Sequence, residues 1–223
     1  MGTIIAVTAA AGMGGTGLGG LAAYLFRRGT DRTVSVLLSF AAGMMLAVVC
    51  ADLLTDAIQA GPGLSALPAA SASVLAGCGG IWLLEELVSG LQAEGMVIGA
   101  SYAADLAEAG EDGRMMALVI GLHNIPEGMA VAVPLAAGGA SRGRAVLTTA
   151  AAGAPTVLGA VLGFCLGTMG PGLQMLTLGG ASGAMLYVVF GELLPESFRL
   201  CRSPAPVMAA VLGVLTGMGV VLG

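Results

Sequence analysis

Apolar stretches of about 20 residues recur along this chain from end to end, separated by short polar clusters. About 20 residues of α-helix rise about 30 Å, the thickness of a bilayer's hydrocarbon core. The pattern predicts spans over residues 3–26, 34–56, 67–87, 92–108, 115–137, 145–168, 173–196 and 204–222. No soluble domain or long linker is left over, so residues 1–223 read as one transmembrane domain. Spans three and four are cramped. Glu85 and Glu86 mark the end of span three, and span four is stunted, starting near Ser89. Merging the two would give seven spans and move Arg142 and Arg144 to the other side, so the arginine pattern favours eight.

Two blocks of this pattern are nearly the same text. Residues 41–56 read AAGMMLAVVCADLLTD and residues 181–196 read ASGAMLYVVFGELLPE, with Asp52 meeting Glu192 and Asp56 meeting Glu196. The same offset lays Thr16, Leu18 and Gly19 on Thr156, Leu158 and Gly159. Spans one and two therefore resemble spans six and seven, and an odd number of crossings separates the copies, so they point in opposite directions. Inverted repeats of this kind mark secondary transporters, with the site near the midplane between the repeats. The predicted fold is an all-α integral membrane protein of about eight helices, one to three inverted against six to eight around a central pair, four and five.

Composition agrees. The chain is 57% hydrophobic and 9% charged, with a mean hydropathy of +0.97, where a soluble domain carries about 25% charged residues. Its 38 glycines suit lipid, where small residues let helix backbones approach. Gly15 and Gly19 form one such face, and Gly159, Gly163 and Gly167 another. The formal charge of −5 excludes a basic nucleic-acid surface. Cys50, Cys78, Cys165 and Cys201 have no CxxC spacing and read as small apolar residues. With no basic n-region, the N-terminal segment reads as a first span rather than a cleaved signal.

All eight basic residues are arginines. Arg27, Arg28 and Arg32, then Arg142 and Arg144, then Arg199 and Arg202 fall in three connections that eight spans place on one side; Arg114 alone lies elsewhere. The positive-inside rule makes that side cytoplasmic, with both termini outward in a cell membrane. Asp105, Glu108, Glu111 and Asp112 fall in the outward connection between spans four and five. They read as a solvated acidic loop, or as a device that concentrates cations.

One segment carries chemistry. His123-Asn124-Ile125-Pro126-Glu127-Gly128 lies inside an otherwise apolar span and holds the chain's only histidine. Ionisable groups at membrane depth are costly and mark function. His123 and Glu127 are four residues apart and share a helix face. Imidazole nitrogen with carboxylate oxygen suits first-row divalent metals. Asn124 adds an amide oxygen part-way round the helix, and Pro126 frees the carbonyl of Leu122. A helix kink with a hydrogen-bonded histidine is the plain alternative.

From HNIPEGMAVAVPL at 123–135, through APTVLGAVLG at 154–163, to GAMLYVVFGELLPES at 183–197, the chain resembles the ZIP (Zrt/Irt-like) divalent metal transporters. The resemblance implies eight helices around a metal site built mainly on helices four and five. It makes His123 and Glu127 ligands, and Asn124 a ligand or neighbour of a second metal position. It also places Met45 along the path and Asp52 and Glu192 as pathway carboxylates at the outer and inner ends. Where the fourth helix of the family repeats the motif, this chain reads Gly90-Leu91-Gln92-Ala93-Glu94-Gly95, and helix six has Ala154-Pro155-Thr156 without an acid. The resemblance then carries over one site, made by His123, Glu127, Glu94 and Gln92 or water.

The expected function is secondary transport of divalent cations towards the cytoplasm by alternating access. Zinc is the expected cargo, with iron or manganese as alternatives. No cofactor and no nucleic acid are expected, the bilayer is the surrounding partner, and a homodimer is left open. Two other classes stay in view. A metal-binding sensor would bind the ion without moving it. An intramembrane enzyme would use His123, but the chain has no HExxH or GxSxG and no second histidine.

Overall fold

The computed structural model describes residues 2–25, 31–61, 66–84, 98, 100 and 112–221, with the backbone alone described at 24, 25, 83, 84, 112, 113, 115, 123, 130, 134 and 137. Helices and their short connections account for these residues. Span one is helical over 2–25, span two over Asp31–Gln59, span three over Ala66–Leu84 and span five over Asp112–Ala137. Span six comes in two pieces, Arg142–Ala152 and Pro155–Gly167, followed by span seven at Pro171–Leu200 and span eight at Pro204–Val221. Six of these are long and apolar enough to cross a membrane, and span three holds the shorter apolar helix Ala66–Trp82. The protein is an all-α, multi-pass membrane protein. Of span four, Ile98 and Ala100 are helical and buried, and the rest of the predicted 92–108 lies outside the described residues.

Local chemistry sets the boundaries. Span five is already helical at Asp112, three residues before the prediction, which takes Asp112 out of the expected outer loop. Ser141 caps span six, its side chain accepting from the Arg144 backbone N–H at 3.4 Å. Gly170, at φ 138°, reverses the chain before Pro171 starts span seven.

The repeat seen in the text is present in the backbone. Span two widens into a π turn at Val49–Leu53, and span seven does so at Val188–Leu193, the equivalent place. Span one widens at Ala10–Gly14, and the equivalent stretch of span six contains the break at Gly153 and Ala154. At the crossing of spans one and six the contacts are reciprocal. A Cβ on Gly12 would lie 2.9 Å from Thr156 Cβ, and one on Gly153 would lie 2.8 Å from Thr16 Oγ1.

The repeats also exchange partners. Span two packs on span eight, and span seven packs on span three. A Cβ on Gly43 would land on the carbonyl oxygen of Ala210, and one on the equivalent Gly183 would land on that of Val74. From the other side, Gly213 meets the carbonyl of Phe40 as Gly77 meets that of Gly180. Each pair packs backbone against backbone, as small residues allow in lipid. The inversion therefore extends to spans three and eight, where no textual match had marked it.

Spans one and five run parallel. Gly15 sits against Gly121, Gly19 against the Ile125 carbonyl and Gly128 against the Thr16 carbonyl, so the predicted Gly15/Gly19 face is the one in use. Gly159, Gly163 and Gly167 are likewise buried. Cys50 and Cys165 are exposed on the outside of the bundle, and Cys78 and Cys201 are partly covered. The main core joins Met45, Val49, Ile98, Ile120, Met185 and Val189, so spans two, four, five and seven meet at its centre.

Candidate metal site and pathway

Span five is a continuous helix through Pro126, so His123 and Glu127 hold the shared-face register the spacing predicted. The side chain of His123 lies outside the described residues, as do Gln92 and Glu94. Asn124 is fully buried. Its Nδ2 donates to the Ala11 carbonyl at 3.3 Å, and its Oδ1 has no hydrogen-bond partner among the described residues. Ala11 lies in the π turn of span one, and its carbonyl also accepts from the Gly15 backbone N–H. The amide is thus pinned by its nitrogen end, leaving its oxygen as a buried acceptor. Thr156 Oγ1 is the other buried side-chain oxygen without a partner among the described residues.

Glu127 is half-buried and opens onto a cavity of about 510 Å³ between spans two, five and seven. Three more carboxylates line it: Asp31 from span two, and Glu192 and Glu196 from span seven. The rest of the wall is apolar, with Val34, Leu38, Val131 and Leu193 among its members. The mouth is framed by Glu196, whose two oxygens each accept from the Arg199 guanidinium at 2.8 Å.

A knot of serines fixes the wall behind the mouth. Ser35 Oγ donates to the Ser197 carbonyl at 2.7 Å, and Ser197 Oγ donates to the Ser35 carbonyl at 2.6 Å. Ser39 Oγ lies 2.6 Å from Ser197 Oγ. All three are fully buried, so the start of span two and the end of span seven are locked together. That contact also puts Arg32 and Arg199 at one end of the molecule. Ala23, packed with Met129 and Leu37, brings the ends of spans one and five to the same place. The three arginine-bearing connections share one end, as predicted.

Asp52 and Glu192 sit in the two equivalent π turns. Their surroundings differ: Glu192 is exposed and lines the acidic cavity, while Asp52 is half-buried towards the far end of span two from Asp31. Met45 is 2% exposed and packs in the central core. Among the described residues no three His, Cys, Asp or Glu side chains converge closely enough to hold an ion. The predicted set is therefore distributed: Asn124 and Glu127 at mid-span, Glu192 on the wall of the cavity that Glu127 enters, Asp52 towards the other end. Asp31 and Glu196 escaped the reading of the sequence. Glu196 had a signal in its match to Asp56, whereas Asp31 looks like any acid at a helix start.

Residues 87–223 match the family model described as ZIP zinc transporter, which takes in the motif and every span after it. The chain belongs to the ZIP zinc transporter family. It is 33% identical to the zinc transporter ZIPB of Bordetella bronchiseptica over 254 aligned positions, covering 96% of this chain and 77% of that one. It is 29% identical to the zinc transporter ZupT of Chlorobium limicola over 255 positions, 97% of this chain and 94% of the relative. An Arabidopsis thaliana protein with a provisional zinc-transporter name is 34% identical over 122 residues, and the chain spans only 19% of that relative's length. These kinships place this ZIP protein among transporters rather than enzymes.

Proposed function

We propose that this ZIP protein carries divalent cations, zinc foremost with iron or manganese as alternatives, through the bilayer towards the arginine-rich side. One observation carries the reading: the motif carboxylate Glu127 opens onto an acid-lined cavity at the end that bears the arginines. An ion held by His123 and Glu127, with Asn124 Oδ1, Glu94, Gln92 or water completing its shell, exchanges hydration for nitrogen and oxygen donors at mid-membrane. Glu192, Asp31 and Glu196 then offer it successive oxygens on the way out, while Asp52 and Met45 belong to the opposite approach. Alternating exposure of the site needs no covalent step and no cofactor. The positive-inside rule makes the arginine end cytoplasmic and turns both termini outward.

Uptake of zinc and of manganese into proteoliposomes tests this. Glu127→Gln and His123→Ala should each lower initial rates at least tenfold, and Glu192→Gln should lower them less. Wild-type rates in both of the first two would refute the assignment. The degenerate Gly90–Gly95 segment favours one second reading, a sensor that binds without transport. It would bind zinc in detergent yet leave the liposome lumen empty.

A further inference from the structure

Span two separates two different surfaces. Asp31, Val34 and Leu38 face the acidic cavity, while Arg32, Val36 and Leu37 face the other way. On that side they, Thr33 and Met129 of span five line a groove of about 370 Å³. The division follows helix geometry, since residues three to four apart share a face and adjacent ones do not. Beyond Arg32 and Thr33 the groove is apolar, formed by Val36, Leu37 and Met129. Its floor belongs to the small cluster of Ala23, Met129 and Ala132, on which Leu37 and Val133 pack. Arg32 itself is exposed at the helix start, and its acidic neighbour Asp31 is turned into the cavity. The connection that leads into Arg32 also carries Arg27 and Arg28.

We propose that this groove binds an anionic glycerophospholipid from the leaflet on the arginine-rich side. The phosphate pairs with the Arg32 guanidinium, and an acyl chain lies over Val36, Leu37 and Met129. Guanidinium and phosphate match as a planar fork against oxygens. Basic pockets between transmembrane helices at the cytoplasmic face are the setting in which such headgroups are held. A soluble anion would make no use of the apolar floor, and a zwitterionic lipid brings its own cation to an already positive mouth. The bound lipid would bridge spans two and five, whose other faces carry Asp31 and Glu127 into the cavity. Binding itself does not depend on the transport reading.

The full-length protein in nanodiscs of phosphatidylcholine with one fifth phosphatidylglycerol tests the proposal, with lipid retention read by native mass spectrometry. Wild type should retain phosphatidylglycerol at least fivefold over its share of the mixture. Arg32→Gln should bring that preference close to one, Arg32→Lys should keep part of it, and Arg202→Gln, the same charge change elsewhere on that end, should leave it intact. Leu37→Trp, which fills the groove, should reduce retention of any lipid there. Three results would overturn the proposal: an unchanged preference in Arg32→Gln, an equal loss in Arg202→Gln, or thermal stabilisation by chain-free glycerol 3-phosphate that matches phosphatidylglycerol. The last would mean an anion site without a lipid. Size-exclusion profiles keep a folding defect from passing as lost binding, because Arg32 is exposed and its variants should elute as wild type does.

Discussion

The exchange of partners between the repeats makes a quantitative prediction at Gly43. A Cβ there lands on the backbone carbonyl of Ala210, and backbone cannot rotate away as a long side chain can. Spans two and eight must separate by about 1 Å, which forfeits a quarter to a half of each well. With roughly 40 atom pairs at about 0.1–0.2 kcal/mol each, losing a quarter costs about 1–2 kcal/mol, within the usual range for overpacking. Gly79, on span three, has nothing within 4 Å of an added Cβ. Alanine there should instead stabilise by about 0.5–1 kcal/mol, the helical penalty of glycine. Gly43→Ala and Gly79→Ala should thus differ by about 2 kcal/mol, or about 4–8 °C in midpoint for a chain of this size. Gly183→Ala, which meets Val74 as Gly43 meets Ala210, should match Gly43→Ala. Thermal unfolding of the purified protein in one detergent, followed by size-exclusion fluorescence, reads all three. Equal midpoints for Gly43→Ala and Gly79→Ala would refute the close crossing. A large difference between Gly43→Ala and Gly183→Ala would refute the equivalence of the two halves.

Other consequences follow from the polar groups. Thr156 Oγ1 is buried without a partner among the described residues, so Thr156→Val should leave the midpoint unchanged or raise stability by up to about 1 kcal/mol. Thr16 Oγ1 donates to the Gly12 carbonyl at 2.9 Å, so Thr16→Val should lower it, and the opposite order of the two would contradict the assignment. Ser197→Ala removes one donated and one accepted bond from the serine knot; at about 0.6 kcal/mol each in a membrane protein, the loss is about 1 kcal/mol, seen as a lower midpoint. Asp52→Asn should slow zinc uptake from the side opposite the arginines without altering zinc binding in detergent. A matched loss of binding would place Asp52 in the central site instead.

Much of the fold was legible because lipid demands a simple pattern. Long apolar runs, arginines grouped in three connections and a repeated stretch of sequence each predicted something the backbone bears out. The boundaries shifted by a few residues where a charge could join a helix, as Asp112 does. The inversion of spans three and eight was expected only by extending the repeat of spans one and two; the glycine crossings that carry it were not legible, because glycines that meet a carbonyl need no shared neighbours in sequence. The serine knot was hidden for a different reason: hydroxyls are common in apolar helices, and these partners stand 162 residues apart. At the site, the spacing of His123 and Glu127 announced a shared face, and the cavity before Glu127 accords with it. Asn124 was expected to offer an oxygen, and among the described residues that oxygen has no partner. What the spacing could not convey is that the π turn of span one holds the other end of that amide.

The crossed pairing of spans also orders events at the ribosome. Span two is made early, but the helix that covers its Gly43 face, span eight, is made after all the other described spans. At about 5–20 residues per second, the nascent helix waits on the order of ten seconds with only lipid against that face. It can wait because a membrane helix satisfies its own backbone bonds. Neither half is then a finished product, and two separately translated halves, co-expressed, should find each other in the membrane.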